Sequence, residues 1–171
     1  LQPIIHCVNK EKKMKVILIL LFIYANIMAA GKEGDKATSF SLQNLYHLDK
    51  KVSFDAYKGK VVLLNLWASL CGGCQEEMPL FVKLQKEFQG SDFSILLSSI
   101  DKDSKNAVDF LHDIDPNNLL DALYDSEKTL PKAYRCIGMP SSYLIDKNGK
   151  IDTVYVGSID EEKLVTLKAK I

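Results

Sequence analysis

Histidine is scarce in this 171-residue chain, with three copies, and cysteine appears four times. Neither is laid out for a metal finger. After Cys71-Gly72-Gly73-Cys74 no second C-x-x-C or Cys/His pair follows at finger spacing, so only half of a zinc site is present. His47 falls in a polar connection and His112 on the polar part of a helix, where solvated side chains are expected rather than ligands. A basic patch or Lys/Arg stripe is also missing, which removes the usual reason to expect a nucleic-acid partner. No internal repeat, low-complexity tract or linker divides the chain, and its apolar content suffices for one core. A full membrane span is lacking as well. The apolar stretch from Val16 to Ala30 is interrupted by Asn26 and falls short of the roughly 18 to 20 residues that cross a bilayer.

That stretch has a different layout. Lys10, Lys12, Lys13 and Lys15 precede it, and Ala29-Ala30 supply small residues before polar Gly31-Lys32-Glu33. A basic segment, an apolar core and small residues at the exit describe a secretory signal. The sequence therefore predicts a signal peptide over 14–30, cut near Ala30, with a membrane anchor as the alternative. Met14 is the expected start, residues 1–13 an upstream extension outside the native protein, and Cys7 without function. Taking 1–30 away turns 22 basic and 22 acidic residues into 18 and 21, a nearly neutral domain over 31–171 in a periplasmic or other extracytoplasmic setting.

Three cysteines remain there, Cys71, Cys74 and Cys136. The first two stand between the apolar run Val61 to Trp67 and the helix-like stretch Gln75 to Phe88, where a strand hands over to a helix. An attacking sulfur must be a thiolate, and the free N–H groups and partial positive charge of a helix N-terminus favour one. Spacing by two residues keeps the second sulfur within the first turn, able to close a disulfide and expel a partner. A structural bridge is the alternative in an oxidising compartment, but closing so short a loop constrains the unfolded chain little. Cys136 is expected as a packed thiol, with a third redox sulfur as its other possibility.

Hydrophobic period supplies the elements. Ser39 to Leu42 and Lys51 to Phe54 alternate as a half-buried hairpin. Val61 to Trp67 and Phe93 to Ile100 are continuous apolar runs, expected of central strands covered on both faces. Glu76 to Phe88, Lys105 to Ile114, Lys128 to Tyr134 and Asp160 to Lys170 read as helices, the first with Pro79 as a kink. Ser142 to Ile145 and Ile151 to Val156 flank Asn148-Gly149, a signal for a type I′ hairpin. The order predicts an α/β fold with a mixed central sheet flanked by helices and preceded by an N-terminal β-hairpin.

That order, with this dithiol after the first long strand, resembles the thioredoxin superfamily, and within it the exported TlpA/ResA-like branch. The resemblance runs through Gly34-Asp-Lys-Ala37, Gly59 to Ser69, Glu77-Met-Pro79, Gly138-Met-Pro140, Leu144-Ile-Asp146, Gly149-Lys-Ile151 and Val156-Gly157. It implies Cys71 as the exposed nucleophile, Cys74 as the buried resolving thiol, and Gly138-Met139-Pro140 as the cis-proline loop. Met139 and Pro140 would then meet an extended substrate segment, Met139 through its backbone. Glu77, three residues after Cys74, matches the ResA-like Glu that tunes thiol protonation; an acid favoured by the helix dipole is the other explanation. Asn65 stands where thioredoxin proper carries a buried Asp. Trp67 is either a core aromatic or a substrate contact.

The resemblance implies a thiol-disulfide oxidoreductase with no cofactor and no metal, acting as a monomer on disulfides of exported proteins. A membrane electron donor would recharge it. C-x-x-C-H segments of apocytochromes c are the substrates it suggests, although Ser141 follows Pro140 where cytochrome-maturation members commonly carry Glu. Two further departures bear on partner choice and potential. Leu70 replaces the usual Trp before the first Cys, and Gly72-Gly73 is expected to leave the first helical turn less preorganised. A dithiol oxidant using the same residues in reverse, and a copper or zinc carrier, are the competing functions. The Pro and Thr/Ser pattern of a peroxidatic Cys is absent before Cys71.

Overall fold

A computed structural model describes residues 31–171; the expected signal peptide and upstream extension lie outside the described residues. Seven strands form one sheet in the order β2-β1-β5-β4-β3-β6-β7. They are β1 (Ser41–Asn44), β2 (Lys51–Ser53), β3 (Val61–Trp67), β4 (Phe93–Ser99), β5 (Asp121–Tyr124), β6 (Ser141–Ile145) and β7 (Ile151–Val156). The helices are α1 (Gly72–Glu87), α2 (Ser104–Ile114), α3 (Thr129–Ala133) and α4 (Glu161–Lys168), with a 3-10 turn at Phe54–Tyr57.

β3 is buried at all seven positions because both of its faces are covered. It runs parallel to β4, from Val61 opposite Phe93 to Trp67 opposite Ser99, and antiparallel to β6. Alternation along β3 then separates two apolar layers. Leu63 and Trp67 face α1, α2 and α4 through Met78, Phe81, Leu111 and Leu167. Leu64 and Leu66 face Phe40, Tyr57, Leu130, Tyr134 and Tyr143. Asn65 is the one polar residue of β3 and lies on the α1 side, fully buried. The strand thus aims one amide at the helix that carries the dithiol.

The N-terminal hairpin forms as expected and joins the main sheet, since β1 pairs antiparallel with β2 and with β5. Two other features differ from expectation. β5 itself has no hydrophobic period to mark it: it is four residues long and begins on an exposed Asp121. A buried Asp115 prepares it by accepting from the N–H groups of Leu119 and Leu120 at 3.0 and 2.9 Å. The β6–β7 turn is also not type I′, because only Gly149 takes a positive φ, 77°, and Asn148 does not. Asp146 explains this. Its Oδ1 accepts from the N–H groups of Asn148 and Lys150 at 2.9 and 2.8 Å, which holds the turn in a right-handed form.

Candidate active site

Cys71 caps α1. Its backbone is extended, with φ −87° and ψ 110°, and its Sγ accepts from the N–H of Cys74 at 3.3 Å. A sulfur that receives a helix N-terminal N–H is held where anionic charge is favoured. Cys71 is partly exposed and Cys74 fully buried, and the two form a disulfide with Cα atoms 5.2 Å apart. The helix begins at Gly72, so both glycines lie within its first turn.

Gly73 has a steric reason. A Cβ there would lie 2.5 Å from Ser158 Oγ and 3.3 Å from Pro140 Cδ, whereas one at Gly72 would meet nothing within 4 Å. The same contact brings the 138–140 loop against the dithiol. The Met139–Pro140 bond is cis, Pro140 is buried, and Met139 is half-buried between the two apolar layers. Gly138 O accepts from Ser141 Oγ at 2.7 Å and from Cys136 Sγ at 3.0 Å. Cys136 is therefore a half-buried thiol tied to this loop rather than an enclosed core residue.

On the other side of Cys71, Asp101 fixes the approach to the helix. Its Oδ1 accepts from Ser69 Oγ at 2.7 Å, and its Oδ2 from the N–H of Ser69 at 3.0 Å and Ser99 Oγ at 2.7 Å. Gln75 Nε2 donates to Ser69 O at 2.6 Å, so the segment before Cys71 is held at both its N–H and its C=O. No motif announced Asp101; an acid directly after a buried apolar run was the available signal. Leu70 is 87% exposed beside Cys71, and Ile137 is 86% exposed beside the Pro140 loop. These two apolar side chains stand in water at the rim.

Glu77 is fully buried on α1 one turn after Cys74. Its Oε1 accepts from Asn65 Nδ2 at 2.7 Å and its Oε2 from the N–H of Ile159 at 2.8 Å. Burial pushes its carboxyl up to about 7, against the opposing pull of the Ile159 N–H, the Asn65 amide and the Lys163 charge. It can thus hold or release a proton near neutrality. Asn65 Nδ2 also donates to Ser142 Oγ at 2.9 Å, while Asn65 Oδ1 is buried without a partner. Sequence spacing gave Glu77 its face but not Ile159, which arrives from the loop after β7.

Trp67 corrects an expectation. Its ring is wholly enclosed and packs on Phe110 with centroids 5.7 Å apart, so it has no surface to offer a substrate and serves the core. His47 and His112 are both exposed and remote in the chain from the dithiol. Among the described residues, no three or more His, Cys, Asp or Glu side chains gather as a metal site would require.

A family model described as Redoxin matches residues 32–170. The chain is 32% identical over 135 residues to thioredoxin-like protein YneN of Bacillus subtilis, spanning 78% of this chain and 76% of YneN. It is 29% identical over 158 residues to thiol-disulfide oxidoreductase ResA of Geobacillus thermodenitrificans, spanning 87% and 88%. Among solved structures, a Chlorobium tepidum protein described as a thiol:disulfide interchange protein DsbE aligns with a TM-score of 0.73. It is 29% identical and covers 81% of this chain and 95% of that one.

Proposed function

The chain belongs to the Redoxin family as a thioredoxin-like thiol-disulfide oxidoreductase acting on protein disulfides, and from that premise we propose that it is an exported reductant. The observation that carries the exchange chemistry is the asymmetry of the pair, Cys71 partly exposed at the helix N-terminus and Cys74 sealed beneath it; the direction rests on the buried acid Glu77. In the reduced protein, Cys71 thiolate attacks one sulfur of a partner disulfide and the other sulfur leaves as thiolate. Cys74, losing its proton, then attacks Cys71 Sγ, the mixed disulfide breaks, and the partner departs with both sulfurs reduced. Two electrons pass from the dithiol to the partner.

Glu77, buried one helical turn after Cys74, would take the Cys74 proton, since the Asn65 amide bonded to it cannot. The partner lies as an extended segment along Met139 and Pro140, with Leu70 and Ile137 contributing apolar contact. A buried acid that repels a nearby thiolate when ionised favours the disulfide form of the enzyme, which is the reducing direction. Export is supported by the signal-like layout of residues 14–30, and a membrane donor would return the electrons. Among the described residues no helix is long and apolar enough to cross a membrane. Apocytochrome c segments are one substrate class, suggested only by the ResA-like sequence pattern; Ser141 after Pro140 favours a wider range.

Trapping tests the assignment. Cys74→Ser is expected to accumulate mixed disulfides with exported proteins, while Cys71→Ser accumulates almost none. Equal trapping by both, or trapping that requires Cys136, would overturn it.

A further inference from the structure

The peptide group joining Ser158 to Ile159 is engaged at both ends. Its N–H donates to Glu77 Oε2 at 2.8 Å, and its C=O accepts from Lys163 Nζ at 2.6 Å. Conjugation links the two ends of an amide. A cation on the oxygen draws density from the nitrogen and makes the N–H a stronger donor, so hydrogen bonds in series reinforce one another. We propose that Lys163 is a positioning residue for Glu77: its ammonium, acting through the Ser158–Ile159 peptide, stabilises the ionised carboxylate one helical turn after Cys74.

The relay is held in place from several sides. Ser158 Oγ donates to Gly73 O at 3.0 Å, and the N–H of Gly157 donates to Pro140 O at 2.9 Å. Asp160 caps α4 by accepting from the N–H of Lys163 at 2.9 Å. The peptide thus links α4, the turn carrying the dithiol and the cis-proline loop. The absence of room for a Cβ at Gly73 is a consequence of Ser158 sitting there.

The charges around Glu77 are few. β3 and β6 present neutral Asn65 and Ser142. α1 carries Glu76, which is exposed, and Cys74, which titrates only when the disulfide is open. α4 begins with exposed Asp160, Glu161 and Glu162, and Asp160 Oδ2 stands 4.0 Å from Lys163 Nζ. Of these groups Lys163 alone has a charge that lowers the Glu77 carboxyl. Nζ is 2.6 Å from the peptide oxygen and the carboxylate 2.8 Å from its nitrogen, about 8 Å along the relay, and a unit charge at that range in partly hydrated surroundings changes proton affinity about three- to five-fold.

The consequence for turnover rests on Glu77 serving Cys74, but the relay itself can be measured without turnover. The oxidised full-length protein, in which neither active-site sulfur titrates, is labelled with 13C at glutamate carboxyls. Glu77 is then titrated by NMR in wild type, Lys163→Met and Lys163→Arg, at low and high salt. Lys163→Met is expected to bind the Glu77 proton about three- to five-fold more tightly, and Lys163→Arg to stay close to wild type. High salt should move wild type toward the Met variant and leave that variant in place, because only a charge is screened. An unchanged midpoint in Lys163→Met, an equal shift in Lys163→Arg, or equal salt shifts in wild type and the Met variant would each overturn the proposal. Insulin reduction by the same variants separates the two claims. Shifted titration with unshifted pH–rate profiles removes Glu77 from the reaction and leaves the relay intact.

Discussion

Glu77→Gln should make the protein more resistant to unfolding at alkaline pH and nearly indifferent to the proton this site binds. The buried carboxyl moves from 4.5 in the unfolded chain to about 7 in the folded one, with desolvation as the main cause. The folded state therefore binds the proton more tightly. The stabilisation from that binding is complete below about 4.5 and is lost as pH rises through about 7. Each tenfold difference in proton affinity between the two states is worth about 1.36 kcal/mol, so the loss between about pH 5 and pH 8.5 comes to about 2 to 3 kcal/mol. Gln keeps the shape and lacks the charge. Its oxygen can accept from the Ile159 N–H, and its amide can donate to the unpartnered Asn65 Oδ1 once the Asn65 amide turns over. Urea unfolding of the oxidised protein at pH 5 and 8.5, for wild type and variant, gives the difference directly, since all other groups cancel. A stability gap between the two proteins that is the same at both pH values would refute the reasoning.

The two glycines of the active-site turn should behave differently. Gly72→Ala has free space and is expected to stabilise by about 0.5 kcal/mol through helix propensity. Gly73→Ala must displace Ser158 and press on Pro140, so it should destabilise in the same denaturation assay and slow insulin reduction. Equal effects at both positions would contradict the steric account. Leu70→Asp, at a side chain almost fully in water, should leave stability within about 0.5 kcal/mol. In a Cys74→Ser background it should cut the yield of trapped partners, and an undiminished yield would remove Leu70 from the partner surface.

The central elements were legible in the sequence because β3 and β4 are buried on both faces and must be apolar throughout. The dithiol was legible because its spacing and its place before a helix carry the chemistry themselves. β5 was not, since four residues stabilised by Asp115 and by pairing to β1 and β4 leave no period of their own. The Asn148-Gly149 turn misled because a carboxylate two residues earlier chose its hand, and Trp67 because aromatic character alone does not say which way a ring faces. Glu77 could be placed one turn after Cys74 by helical spacing, yet its partners come from β3 and from the loop before α4. Those contacts are set by topology, as is Asp101 on Ser69.

The reduction potential of the Cys71/Cys74 couple tests the proposed direction most directly. A helix N–H on Cys71 Sγ favours thiolate and the oxidant's role, whereas the buried Glu77, which repels a thiolate when ionised, favours the disulfide and the reductant's. The second is expected to prevail. Equilibration with glutathione buffers at pH 7 should give a value near or below about −200 mV, and a value above about −150 mV, with Cys71 titrating below about pH 5, would mark an oxidant instead.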